Sequence, residues 1–301
     1  MKFNIKKILR NVVAAVAICL AASATMVAQS NTTDEGVIIN GVKWATRNLD
    51  VGGTFVESAE DFGALFQWGR NADGHESRTS ATTDVPSDTD TPGHGDFIIY
   101  SDDLEGYNRR FDWRDPQNDA LWNSGTDSAP IKADNDPSPA GWRVPTLAEI
   151  AALADKTKVS VARITQNDIV GLLFTDLEND NTLFLPCAGY RTPRDEFGGG
   201  DPYAQIGVYW SGSSTPYDDP HIARQAYMLH NGGTSSEWRG YGYSIRPVAE
   251  NFNGGINDIT ADTEKSVTGY YDILGRQLKA EPTKGFYIIR YSNGTSKKVV
   301  R

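Results

Sequence analysis

Short apolar runs separated by Asn-, Asp- and Gly-rich turns dominate the chain from residue 37 onward. Val37-Ile38-Ile39 and Val42-Lys43-Trp44-Ala45 flank Asn40-Gly41, a dipeptide that favours two-residue hairpin turns, so a hairpin is predicted there. Residues 170–174 and 182–185 flank the polar turn at 178–181 and predict a second hairpin. Residues 208–211, 225–229 and 243–247 read as three further short strands. Helical spacing shows in two places. Phe62, Leu65 and Phe66 follow Ser58 and Asp61, which can cap and charge a helix start. In GWRVPTLAEIAAL, Pro145 keeps Val144 extended, and Thr146 with Glu149 forms a capping box ahead of the stripe Leu147, Ile150, Ala151, Ala154. Few helices and many hairpins predict an α+β fold with short antiparallel strands and two short helices.

The pattern lapses twice. Residues 71–140 are rich in Asp, Ser, Thr, Gly and Pro, with apolar islands at 97–100 and 120–122. So long an irregular stretch reads as an insertion, tied down where its aromatics fall. Residues 250–264 read as a linker. Beyond them, strand patterns at 269–274, 285–291 and 297–301, with a turn at Asn293-Gly294, predict a small all-β C-terminal module over 265–301.

The first 28 residues stand apart. Lys2, Lys6, Lys7 and Arg10 precede an apolar run and the small residues Ala22-Ser23-Ala24 and Val27-Ala28, the form of a secretory signal peptide. With those four bases gone from 29, 25 remain against 39 acids. An acidic chain repels phosphate backbones, so nucleic acid is not expected as a partner. The mature chain also has no stretch that predicts a transmembrane helix. Cys19 leaves with the signal, and Cys187 then stands alone, so an internal disulfide is not expected and the core must hold the fold.

The order VKWATRNL, FGALFQWG, GWRVPTLAEI, LFLPCAGYR, YWSGSS, GYSIRPV resembles the Fibrobacter succinogenes major paralogous domain family over about residues 37–249. The resemblance implies a C-type-lectin-like fold and kinship with formylglycine-generating enzymes. The last 37 residues, with YYDILGRQL and KGFYIIRYSNGTSKKVVR, resemble a type IX secretion sorting domain of Bacteroidota, which implies export to the cell surface.

The chemistry of an enzyme is thinly represented. The enzymes to which that family is related hold copper with paired cysteines or iron with clustered histidines; here Cys187 is single, and His75, His94, His221 and His230 are scattered. Cys187 reads as a small buried hydrophobe. Asp88-Thr89-Asp90 begins like a calcium loop but continues with Pro92 and ends on Ile99, and Asp176, Glu178 and Asp180 are explained by a hairpin turn. No cofactor is therefore expected, with calcium the one alternative kept open. Loops at the end of the fold offer mixed aromatic, acidic and guanidinium groups at Arg191, Arg194, Asp195, Glu196, Asp201, Tyr203, Tyr217, Asp218, Asp219 and His221. The resulting expectation is a secreted or surface-displayed, non-enzymatic recognition or adhesion protein that binds a glycan or protein outside the cell. An enzyme of the formylglycine-generating lineage and a structural surface or fimbria-associated component are the alternatives.

Overall fold

A computed structural model describes residues 33–99, 112–198, 206–215, 225–252, 267–272, 276–291 and 296–300. The chain divides into two compact units, the first ending at Gly254 and the second beginning at Gly255. The signal-like segment, residues 1–28, lies outside the described residues.

In the first unit the two ends of the chain meet in one sheet. Val37–Ile39 and Val42–Trp44 form the expected hairpin, with Asn40 and Gly41 at φ 45° and 78°, the left-handed pair such a turn requires. Val42–Trp44 pairs with Val248–Ala249, and that strand pairs with Trp142–Arg143. A second sheet stacks Thr182–Pro186, Ile169–Asp176 and Val159–Gln166 in antiparallel order. Its last strand and the Asn167-Asp168 turn, at φ 48° and 66°, add to the hairpin read from the sequence. A third sheet runs Val208–Ser214, Gln225–His230, Gly233–Trp238. The fourth is made of two-residue strands: Phe197–Gly198, Tyr190–Arg191, Gly242–Tyr243 and Phe66–Gln67.

The one α-helix among the described residues is Leu147–Leu153. Both arms of its capping box form: the Thr146 hydroxyl accepts from the Glu149 amide at 3.3 Å, and Glu149 accepts from the Thr146 amide at 2.8 Å. Ile150 and Leu153 point into the core. The helix is shorter than the three turns its stripe predicts, because the chain turns back through Lys158 and Val159 onto the Asp155 carbonyl.

The second expected helix does not form. Ala64 donates to the Leu49 carbonyl at 3.0 Å and Leu65 to the Glu76 carbonyl at 2.9 Å, so residues 64–65 bond to two neighbouring segments instead of to a helical turn and lead into the Phe66–Gln67 strand. Gly63 at φ +68° breaks any helical run, and a Cβ there would lie 2.2 Å from the Leu49 oxygen. Ser58 and Asp61 do meet, but the Ser58 amide donates to the Asp61 carboxylate to close a turn. The α+β, C-type-lectin-like architecture with two short helices is thus corrected. Among the described residues the protein is mostly β, with many small antiparallel sheets and one α-helix.

Two apolar clusters hold the unit. One collects Ile39, Trp44, Leu172, Phe174 and Leu185 with the helix residues Ile150 and Leu153. The other is aromatic, with Phe55, Phe66, Trp68, Trp113, Trp122, Trp142, Trp210 and Tyr243 all buried. Its indoles also carry backbone carbonyls: Trp68 donates to Ser211, Trp113 to Trp68, Trp122 to Arg70 and Trp210 to Phe66, all at 2.7–3.0 Å. An indole N–H needs such a partner once it is removed from water. Trp113, Leu121 and Trp122 come from the polar 71–140 stretch, which therefore supplies part of the core.

The second unit is a four-stranded antiparallel sheet in the order Gln277–Leu278, Val267–Tyr271, Phe286–Tyr291, Ser296–Val300. Tyr287 is its buried anchor, packed against Tyr270 and donating to Glu281 at 2.6 Å. No helix among the described residues is long and apolar enough to cross a membrane.

Candidate functional site

Of the loop residues expected to read a ligand, Asp201, Tyr203, Tyr217, Asp218, Asp219 and His221 lie outside the described residues. The other four sit on and beyond the Tyr190–Arg191 strand. Arg191 is 2% exposed and engaged within the fold. It donates to Asp195 at 2.6 and 2.9 Å and to the Ser80 hydroxyl and carbonyl at 2.7 and 3.0 Å, with its guanidinium 4.3 Å from the Phe97 ring centre. Asp195, at φ 60°, closes the tight turn that spans Thr192 to Glu196. Arg194 and Glu196 are exposed.

Strand alternation sorts what lies on either side of this small sheet. Arg191 pairs with Gly242 and Gly242 with Gln67, so these three share one face. A Cβ on Gly242 would lie 2.9 Å from Phe97, which keeps the position glycine and lets Phe97 approach the backbone. Tyr190 and Tyr243 project from the opposite face. There they meet Tyr241, with ring centres 5.8 Å apart for Tyr190–Tyr243 and Tyr241–Tyr243 and 6.0 Å for Tyr190–Tyr241. Trp238 packs against Tyr241 at 6.2 Å, and Trp210 supports Tyr243 from the core at 4.5 Å.

Tyr190 and Tyr241 are half-buried at this surface, whereas Tyr243 is 3% exposed and belongs to the core. The hydroxyls of Tyr190, Tyr241 and Tyr243 have no hydrogen-bond partner among the described residues. Beside them stands half-buried Glu237, whose Oε1 accepts from the Trp238 amide at 2.9 Å. Burial, against that hydrogen bond, pushes its carboxyl up. Burial and then the Glu237 charge push the Tyr241 phenol up, and the same two causes act on Tyr243. Arg194 and Glu196 lie close enough to add their charges to Tyr241. No family model, no curated protein and no solved structure matches this chain. The C-type-lectin-like assignment drawn from motif order has no structural counterpart, and the site rests on its own chemistry.

Two other places carry functional groups. Asp73, His75 and Glu76 bring ligand-type atoms within 4.8 Å of one another, the set among the described residues with the geometry of a metal site. Each is already engaged. The Gln67 amide can only donate, so His75 Nε2 accepts at 3.0 Å and Nδ1 carries the proton toward Asp73 at 2.7 Å. The other Asp73 oxygen takes Arg70 at 2.7 Å, and the Glu76 oxygens take the Gly52 and Gly74 amides at 2.9 and 2.8 Å. Burial, helped by the Arg70 charge, lowers His75 to about 4 against the pull of Asp73. Burial opposes the Asp73 carboxylate, but the His75 and Arg70 contacts outweigh it and bring it to about 2. This is a satisfied polar knot that stitches the 67–76 segment to its neighbours, and ligating a metal would mean breaking it.

The second place is a solvent-open groove of about 440 Å³ lined by Asp50, Val56, Glu57, Asp61, Phe62, Gly63 and Arg78. Arg78 spends Nε on the Gly63 carbonyl and Nη2 on that of Ala188, and Asp61 holds the Ser58 amide. The groove's polar groups thus mostly build its own walls. The calcium-like acids at 176–180 do the same: Asp176 accepts from the Asn40 and Glu178 amides at 2.7 and 2.8 Å and from the Asn179 side chain at 3.0 Å. Cys187 is buried, and burial pushes its thiol up.

The sequence reading took Tyr243 as a strand residue and Tyr190 as part of a loop, and gave Glu237, Trp238 and Tyr241 no role. The available signal was the density of EWRGYGY, where glycines alternate with aromatic side chains too large to be turn filler.

Proposed function

We propose that the protein is a non-enzymatic recognition or adhesion protein of the cell exterior, and that it binds a glycan or protein at the Tyr190–Trp238–Tyr241 surface beside Arg194 and Glu196. The observation that carries this reading is the pair of half-buried phenols Tyr190 and Tyr241, packed on buried Tyr243, with hydroxyls that find no partner within the described residues. Rigid aromatic side chains with polar tips make large contacts at low entropic cost, because each has only two side-chain torsions to fix. The groups most capable of catalysis support a non-enzymatic role. His75 is buried, neutral above about pH 4 and bonded at both ring nitrogens, and the Cys187 thiol is shielded.

The location follows from the signal-like N-terminus and the C-terminal module, which we propose serves export. N-terminal sequencing of the protein recovered from the cell surface should begin after residue 28. Binding is tested on glycan and protein arrays with purified protein, with and without calcium. Wild type should bind a defined ligand class, and Trp238→Ala should lose that signal while keeping its melting temperature. Equal binding by the two would move the site elsewhere.

A further inference from the structure

We propose that the tyrosine surface takes neutral pyranose chains, held without a metal ion. This inference rests on the recognition site proposed above and names its ligand class.

The ring geometry decides between a cage and a platform. A cation needs ring faces turned toward a shared gap, within about 6 Å of each centroid. Here Tyr190, Tyr241 and Tyr243 occupy that space with each other, at 5.8 to 6.0 Å between centroids. What remains outward is the half-buried surface of Tyr190, Tyr241 and Trp238. Such a surface stacks against the C–H face of a sugar ring, which is apolar and flat enough to cover it.

The polar groups match the same class. Each phenol both donates and accepts, as sugar hydroxyls do, and the hydroxyls of half-buried Tyr190 and Tyr241 have no hydrogen-bond partner among the described residues. Glu237 Oε2, which no described residue engages, adds an acceptor at the edge of the rings. A peptide added to a sheet edge would instead require a ladder of free backbone groups, which clustered side-chain tips do not supply. Charge disfavours acidic sugars: among the described groups acting on Tyr241, Glu196 and Glu237 stand against Arg194. Sulfated or uronic chains meet net repulsion there. Ring faces, phenol hydroxyls and the Glu237 edge supply the stacking and hydrogen-bonding contacts that a neutral sugar takes, so its binding calls for no ion.

The test is affinity electrophoresis of the purified full chain through gels containing laminarin, mannan or galactan, and in parallel polygalacturonate or heparin, each with calcium or with EDTA. At least one neutral polysaccharide should retard the protein, equally in both ions. Tyr241→Ala should weaken that interaction about tenfold or more, the loss of a central aromatic contact. Tyr241→Phe keeps the ring, loses the hydroxyl and should cost about fivefold; it also keeps the test valid if the alanine variant fails to fold. Asp61→Asn in the separate groove should change nothing. Retardation by the anionic polymers alone, loss of binding in EDTA, or an unchanged Tyr241→Phe variant overturns the proposal. Binding on arrays to proteins but to no sugar overturns it and leaves the recognition reading standing. No binding to either class removes both.

Discussion

His75 shows how a residue with catalytic chemistry becomes scaffolding. Its ring is fully buried, and each nitrogen meets a group that fixes one tautomer, an amide donor on one side and a carboxylate on the other. Its pKa falls from 6.5 to about 4, so the fold favours the neutral ring. The unfolded chain binds the proton more readily, and this contribution is complete above pH 6.5 and lost as pH falls to about 4. Its size is on the order of 3 kcal/mol. Burial raises Asp112, against the Arg239 charge, and Asp136, against its amide hydrogen bonds, each from 3.8 to about 6. Their sign is opposite: the folded state holds those protons more tightly, so stability rises as pH falls from about 6 toward 3.8. Asp73, lowered to about 2, then loses stability as pH drops below 3.8. The expected outcome is a urea midpoint that rises between pH 6 and 4, where two carboxyls gain against one histidine's loss, and falls below pH 4. In NMR titrations the His75 ring should show no inflection above pH 5. An inflection near 6.5 would mean that the knot is open in solution.

At the scale of elements, the helix at Leu147–Leu153 and the failed helix at 62–66 make a pair. Both show apolar residues at helical spacing after a polar start. The first has its cap satisfied within the segment, and Glu149 also holds the buried Arg143 guanidinium at 2.6 and 2.8 Å. Thr146→Ala should therefore cost about 1 kcal/mol, the usual loss of an N-cap. Glu149→Ala should cost more, about 3 kcal/mol or above, because it leaves Arg143 as an unpaired buried charge. Thermal unfolding of the two variants checks the order, and neither should alter ligand binding if this element is scaffold. The 62–66 segment was misread because its periodicity is accidental. Ala64, Leu65 and Phe66 are all buried, a continuous run between two layers rather than one face of a helix. Only the approach of Leu49 and Glu76, from other parts of the chain, makes the extended form the stable one.

At the scale of the molecule, the first unit is closed by its own ends. Val248 pairs with Trp44 and with Arg143, so residues 44, 143 and 248 share one ladder. A chain ending at Gly254 keeps that closure and the whole aromatic core. It is expected to melt within a few degrees of the full chain in calorimetry and to retain its ligand. A large drop in midpoint would show that the first unit depends on the second.

The sequence by itself determined the hairpins at Asn40-Gly41 and 178–181, the capping box, and the small β module after residue 267. These rest on local physics: turn residues that accept positive φ, an i to i+3 cap, alternation along a strand. The many-sheeted architecture of the described residues was decided only in three dimensions, as were the burial of Arg191, the knot around His75 and the gathering of Tyr190, Tyr241 and Tyr243. Each depends on groups distant in sequence reaching the same place: Ser80 to Arg191, Gln67 to Gly240, Tyr190 to Tyr241. A side chain's role at such a site is set by which partners satisfy it. Arg191 found partners inside the fold, while the hydroxyls of half-buried Tyr190 and Tyr241 have none among the described residues, and that difference marks one as scaffold and the others as the candidate site.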